Sequence, residues 1–98
     1  MEFEIKIEDR ADREMLEAIN YYASLNVSGL VERFLRDYRR TLNQLQTSPY
    51  FPVKIDTIRV IPFKVFPYVL FFKIFESKGI ILIVSVFNTF QDPTKYPA

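Results

Sequence analysis

The chain has 98 residues, a formal net charge of +1 and an aromatic content of 16%. It contains neither cysteine nor histidine, which excludes disulfides, a thiol nucleophile and the usual proton carrier at neutral pH. The length fits a single domain over residues 1–98. Two glycines beside so much aromatic bulk exclude extended disorder.

The first half of the chain predicts one strand followed by two helices. Residues 2–8 alternate between apolar and charged side chains, which is the period of a half-buried strand. Apolar residues at three- and four-residue steps predict amphipathic helices over residues 10–25, capped by Asp9, and 29–46, capped by Ser28. A serine–proline pair ends the second helix. Because the break between them is short, we expect an antiparallel helical hairpin.

The second half of the chain predicts three strands. One covers residues 55–61, and two strongly apolar strands over 68–75 and 80–87 are joined by a four-residue hairpin loop. The tail from residue 89 to 98 is expected to be irregular. The order β-α-α-β-β-β indicates an α+β fold in which the helical hairpin packs on a small twisted antiparallel sheet.

The two C-terminal strands are apolar at nearly every position, so both of their faces need cover. Two helices can cover one face, and the tail or a partner must cover the other. We expect another polypeptide to complete it, which makes Phe71 and Phe75 candidate partner contacts.

Charge is distributed unevenly along the chain. Residues 1–18 carry a net charge of −4 and residues 33–64 carry +5. Arginines of the second helix, including Arg36 and Arg40, fall on its solvent side. Such a run is typical of a solvated helix face, but a basic region also attracts phosphates or an acidic protein. Arg36 and Arg40 are therefore candidate partner contacts as well.

Four parts of the sequence together resemble the RelE/ParE toxin superfamily: residues 12–22, Arg59, residues 66–72 and residues 86–93. These proteins are toxins of bacterial type II toxin–antitoxin modules and are often described as plasmid-stabilisation proteins. The resemblance spans nearly the whole chain and implies the fold given above. It also implies a cognate antitoxin that lies over the toxin and forms a hetero-oligomer with it.

The RelE-like branch of the superfamily cleaves mRNA on the ribosome. That chemistry needs a group that activates a ribose hydroxyl, cations for the phosphate, and an aromatic ring on which a base stacks. Without histidine the candidates are Lys54, Arg59, Lys64 and Tyr96. The resemblance thus leaves open a ribosome-dependent endoribonuclease.

The ParE-like branch binds DNA gyrase, which requires a surface and no catalytic set. Many relatives carry a histidine and an arginine near the C-terminus, where this chain has Asn88 and Gln91. Neither replacement carries charge or moves a proton at neutral pH. We therefore favour the gyrase-binding activity and keep Asn88 and Gln91 as candidate partner contacts. An attenuated toxin and a small RNA-binding module are the remaining alternatives.

The sequence predicts a cytoplasmic protein without cofactor or metal. The N-terminus is acidic and lacks the apolar run of a signal peptide. The longest apolar stretches are shorter than the roughly 18–20 residues that a membrane span needs. We expect no membrane partner.

Overall fold

A computed structural model describes residues 2–97, and it confirms the predicted α+β fold with one strand more than expected. The helices and strands follow the predicted order, and two short 3-10 turns lie in the C-terminal half. The elements are β1 (Glu4–Ile7), α1 (Asp9–Ser24), α2 (Leu30–Thr47), β2 (Val53–Ile55), β3 (Ile58–Pro62), β4 (Tyr68–Phe75), a 3-10 turn (Glu76–Lys78), β5 (Ile80–Asn88) and a second 3-10 turn (Pro93–Lys95).

All five strands form one sheet in the order β1-β5-β4-β3-β2. Strands β2 to β5 pair with antiparallel neighbours, as expected, whereas β1 runs parallel to β5 with Glu4 opposite Ile80. The sheet is therefore mixed. A parallel pair requires a long connection, and the two helices and three strands between β1 and β5 supply it.

Residues 55–61, predicted as one strand, instead contain the turn of a hairpin and parts of two strands. Strands β2 and β3 are separated by Asp56 and Thr57, and Ile55 pairs with Ile58 across the turn. Asp56 has a φ of 50°, in the left-handed region that aspartate tolerates better than most residues. The short strand β2 consequently becomes one edge of the sheet.

The helices begin without the predicted side-chain caps. Glu8 precedes α1, and its side chain forms no capping hydrogen bond; Gly29 precedes α2 and has no side chain that could form one. Asp9 instead lies in the first turn of α1, where its charge is favourable near the positive end of the helix dipole. Gly29 has a φ of 75°, a conformation that strains a residue with a side chain. Because a helical residue needs a negative φ, α2 starts at Leu30, one residue later than predicted, and Ser28 is not its cap.

The helices pack on one face of the sheet around a cluster of aromatic rings. The ring of Phe34 is fully buried, and its centroid lies 5.1 Å from that of Tyr22 and 5.2 Å from those of Phe66 and Tyr68. Phe63 stacks on it at 5.8 Å. Much of the high aromatic content therefore serves this core. Within residues 2–97, no helix combines the length and the apolar character that crossing a bilayer requires.

Candidate functional site

The sheet face opposite the helices carries a second apolar cluster that the chain's own tail covers. Ile58, Phe71, Val84 and Phe87 are each at most 5% exposed. The ring centroid of Tyr96 lies 5.0 Å from those of both Phe71 and Phe87. The centre of this face is therefore filled within the chain. The expectation that another polypeptide must complete it does not hold there, because the tail folds back over the strands.

The two candidate phenylalanines of β4 have different surroundings. Phe71 is 1% exposed beneath Tyr96, so a partner could reach it only if the tail moved. Phe75, at the opposite end of β4, is 41% exposed beside an apolar cavity of about 190 Å³. The lining residues of this cavity are Lys6, Phe75, Lys78, Ile80 and Leu82. Of the two, only Phe75 is open to a partner with the tail in this position.

Two of the four ribonuclease candidates meet on the tail-covered face. The Nζ atom of Lys54 lies 6.0 Å from the centroid of the Tyr96 ring, within the range of a cation–π contact. Both side chains line a cavity of about 300 Å³, together with Val60, Val69 and Thr89 among others. The cavity combines one cation and one phenol with a mostly apolar wall.

The other two ribonuclease candidates lie elsewhere. The Nη1 atom of Arg59 donates to the carbonyl of Phe51 at 2.7 Å, and its guanidinium lies 5.9 Å from the ring centroid of Tyr50. Lys64 lies in the loop after β3 and lines a separate cavity beside Arg40 of α2. Arg59 thus has a structural contact with the chain before β2. The four candidates do not form one site.

Asn88 and Gln91 form the turn that follows β5. The Oδ1 atom of Asn88 accepts the N–H of Phe90 at 2.8 Å, and the N–H of Gln91 donates to the carbonyl of Asn88 at 3.0 Å. This is an Asx-type turn in which a side chain replaces a backbone acceptor. Both residues therefore have a conformational role that needs neither charge nor proton transfer.

Asn88 and Gln91 also line an open cavity of about 490 Å³ beside α1. Glu14 also lines this cavity, and its carboxylate accepts hydrogen bonds from the Ser85 hydroxyl at 2.8 Å and from the N–H of Val86 at 3.0 Å. The same carboxylate pairs with Arg10 at 3.4 Å. Glu14 thus joins α1 to β5, where the β4–β5 register shifts, and both of its carboxylate oxygens have partners within the chain.

Arg40 and Arg36 differ in what they contact. Arg40 pairs with Asp37 one turn earlier on α2, whereas Arg36 is exposed and lies beside a small cavity near Val65. Asp37 is only 2% exposed, and its carboxylate accepts the N–H groups of Lys64, Val65 and Phe66 at 3.1, 2.9 and 2.9 Å. Asp37 therefore fixes the loop between β3 and β4.

The pKa of Asp37 reflects two opposing effects. Burial disfavours the charged carboxylate and by itself would raise the pKa. The N–H groups of the loop and the guanidinium of Arg40 stabilise the charged form more strongly, so the pKa lies below its usual value. Asp37 is thus ionised at neutral pH and holds the loop as a carboxylate.

Two residues that matter here were not singled out from the sequence. Asp37 lies on the buried stripe of α2, whose buried members are Phe34, Asp37, Thr41 and Leu45. Their three- and four-residue spacing was the available signal for an inward carboxylate. Phe90 is 84% exposed, and no sequence pattern distinguishes it from Tyr96, a tail residue that packs on the sheet.

Comparison with known proteins gives a family match and no curated relative. A family model described as "ParE toxin of type II toxin–antitoxin system, parDE" matches residues 5–93. A search among curated protein sequences finds no match. The matched range includes every helix and strand except the first residue of β1.

Solved structures of similar fold include the chromosomal ParDE TA system from P. aeruginosa, with a TM-score of 0.75 and 14% identity over 88% of this chain and 95% of that one. A double arginine variant of the E. coli toxin RelE in the free state has a TM-score of 0.62 and 16% identity, and the match covers 92% of this chain and 86% of that one. The intact E. coli RelBE toxin–antitoxin complex has a TM-score of 0.55 and 13% identity, and the match covers 91% of this chain and 99% of that one. At these identities the likeness concerns the fold.

Proposed function

Because this chain belongs to the ParE toxin family of type II toxin–antitoxin systems, we propose that it arrests growth by binding DNA gyrase. A cognate antitoxin neutralises it in the cytoplasm by forming a hetero-oligomer with it. The observation that carries the gyrase target is the dispersal of the candidate catalytic residues over two faces of the sheet. A toxin that acts by occupying a protein surface needs no converging cations.

The charges around the phosphate transition state are the main requirement of RNA cleavage. In this chain the guanidinium of Arg59 is bound to a backbone carbonyl, and Lys64 lies beside α2. Asn88 and Gln91 are neutral and form a turn. These features support binding over catalysis as the way in which the toxin acts.

A RelE-like ribosome-dependent endoribonuclease is the second candidate, and one observation favours it. Lys54 and Tyr96 face each other at a cavity, where a lysine would contact a phosphate and a tyrosine ring would stack on a base. New ribosome-dependent 5′ ends in primer extension on translated mRNA, lost in Lys54→Ala, would establish this activity. Their absence during growth arrest would exclude it.

The antitoxin is proposed to bind the margin of the tail-covered face. The family model describes a two-component system, and two similar structures are described as a ParDE system and a RelBE complex. Phe75 is exposed at this margin beside an apolar cavity. Lys78 adds positive charge there, whereas Lys6 is paired with Glu4 at 3.8 Å. These features fit an antitoxin segment that carries apolar and acidic side chains.

Induced expression of the chain alone is expected to arrest growth, and co-expression of the adjacent antitoxin gene is expected to restore it. The measurement is the growth rate after induction, with the level of intact protein followed in parallel. Normal growth with abundant folded protein would favour the attenuated toxin. Tight RNA binding by the purified chain without arrest would favour the RNA-binding module.

A further inference from the structure

Phe90 is a large apolar side chain held in solvent on a well-fixed turn. It is 84% exposed, the largest exposed fraction among the large apolar side chains of residues 2–97. Its N–H is bound to the side chain of Asn88, and the N–H and hydroxyl of the preceding Thr89 both donate to the carbonyl of Pro67, at 2.9 and 3.1 Å. Since the turn is already ordered, placing the ring in a partner's pocket costs little conformational entropy.

A second exposed apolar side chain lies at the same end of the sheet. Val65 is 71% exposed in the loop between β3 and β4, and the carboxylate of Asp37 fixes that loop. The loop and the Phe90 turn meet through the carbonyl of Pro67. Both apolar groups are therefore carried by loops that the fold holds rigidly together.

Arginines of α2 add positive charge beside Val65. Arg33 and Arg36 line a cavity of about 140 Å³ with Val65, and neither forms an ion pair within residues 2–97. The carboxylate of Asp37 is turned inward to the loop and to Arg40. Like charges one turn apart on a helix are mildly destabilising. A counter-charge from outside the chain would offset that cost.

We infer that Phe90, Val65, Arg33 and Arg36 form the surface by which the toxin binds its target protein. The chemistry fits an acidic protein surface with an apolar pocket that accepts the Phe90 ring. We call these four residues the Phe90 surface. The identity of the target as gyrase rests on the proposed function; the position of the surface does not.

The Phe90 surface is well separated from the margin proposed for the antitoxin. Tyr68 pairs with Asn88 at one end of β4, and Phe75 pairs with Ile80 at the other. A strand of this length spans roughly 24 Å at about 3.4 Å per residue. The surfaces proposed for target and antitoxin therefore lie at opposite ends of β4.

The first experiment compares Phe90→Ala with Leu16→Ala in the full-length chain. Leu16 is 58% exposed on α1 and serves as the matched apolar control. Phe90→Ala is expected to weaken binding to purified gyrase by about 30-fold or more, the loss typical of a hot-spot residue, and to abolish growth arrest. Leu16→Ala is expected to behave as the wild type. Thermal unfolding verifies that both variants fold.

The second experiment compares the double variant Arg33→Gln, Arg36→Gln with Arg13→Gln, an exposed arginine of α1. The double variant is expected to bind gyrase about tenfold more slowly at low salt, because rim charges act mainly on association. The difference is expected to vanish at high salt, where screening removes the attraction. Arg13→Gln is expected to associate at the wild-type rate.

The results for Phe90→Ala and for the double arginine variant decide whether the Phe90 surface binds the target. If Phe90→Ala still arrests growth and still binds the target, the inference is overturned. It is also overturned if Phe90→Ala still arrests growth but the antitoxin no longer neutralises it, because Phe90 would then be an antitoxin contact. If the double arginine variant loses binding to a duplex DNA probe but still binds gyrase like the wild type, the two arginines bind a nucleic acid, and the inference is also overturned. If the wild type does not bind gyrase but Phe90→Ala abolishes arrest, the gyrase proposal fails and the Phe90 surface stands.

Discussion

Replacing Asp37 with asparagine is expected to lower the free energy of unfolding by about 3 kcal/mol, the scale for breaking a buried, charge-assisted hydrogen-bond network. The carboxylate accepts three N–H groups from residues 64–66 and pairs with Arg40. Asparagine keeps one acceptor oxygen but turns an NH₂ donor toward these N–H donors. At least one of these N–H donors then loses its acceptor in the chain. Chemical denaturation of both proteins at pH 7 measures the difference.

The Asp37 network also predicts how stability depends on pH. The folded pKa of Asp37 lies below the unfolded value, so its contribution is complete at neutral pH and is lost as pH falls through the folded pKa. The difference between wild type and Asp37→Asn should be constant near neutrality and shrink below about pH 4. Glu32→Gln, an exposed change on the same helix, is the control. An Asp37→Asn protein as stable as wild type at pH 7 would refute this role.

Replacing Phe34 with alanine is expected to lower the free energy of unfolding by about 4 kcal/mol, since large-to-small changes in a core remove transfer energy and leave a cavity. Phe34 is fully buried at the centre of the aromatic core, within 5.8 Å of four other ring centroids. It also joins α2 to the loop that Asp37 fixes. The denaturation midpoint and slope give the change.

Phe90→Ala is the matched control for Phe34→Ala, because the same side chain is removed from a site that is 84% exposed. Its effect on the free energy of unfolding should stay within about 0.5 kcal/mol, as is usual for surface positions. Similar losses for the two variants would contradict the assignment of Phe34 to the core and Phe90 to the surface.

Elements with a strong local pattern could be predicted from the sequence. The alternation of β1, the stripes of α1 and α2 and the apolar runs of β4 and β5 each signal one element. The turn between β2 and β3 was missed because Asp56 adopts a positive φ without a glycine to mark it. The parallel pairing of β1 with β5 joins distant parts of the chain, so no local pattern encodes it.

The candidate site was predicted less completely, because it depends on how distant segments meet. Lys54 and Tyr96 come together only because the tail folds over β4 and β5. That folding also buries Phe71, which the apolar pattern of the strands led us to expect in contact with a partner. Arg59 lies on a strand that the missed turn separates from Lys54, and its side chain contacts the segment before β2.

The supercoiling activity of purified gyrase in the presence of the purified chain tests the proposed gyrase inhibition without intermediate steps. We predict that the chain inhibits supercoiling of relaxed plasmid, that adding the cognate antitoxin restores it, and that Lys54→Ala inhibits as well as the wild type. If supercoiling is undiminished at a saturating concentration of the chain and the chain instead cleaves mRNA on the ribosome in a way that Lys54→Ala abolishes, the toxin is a ribonuclease and not a gyrase inhibitor.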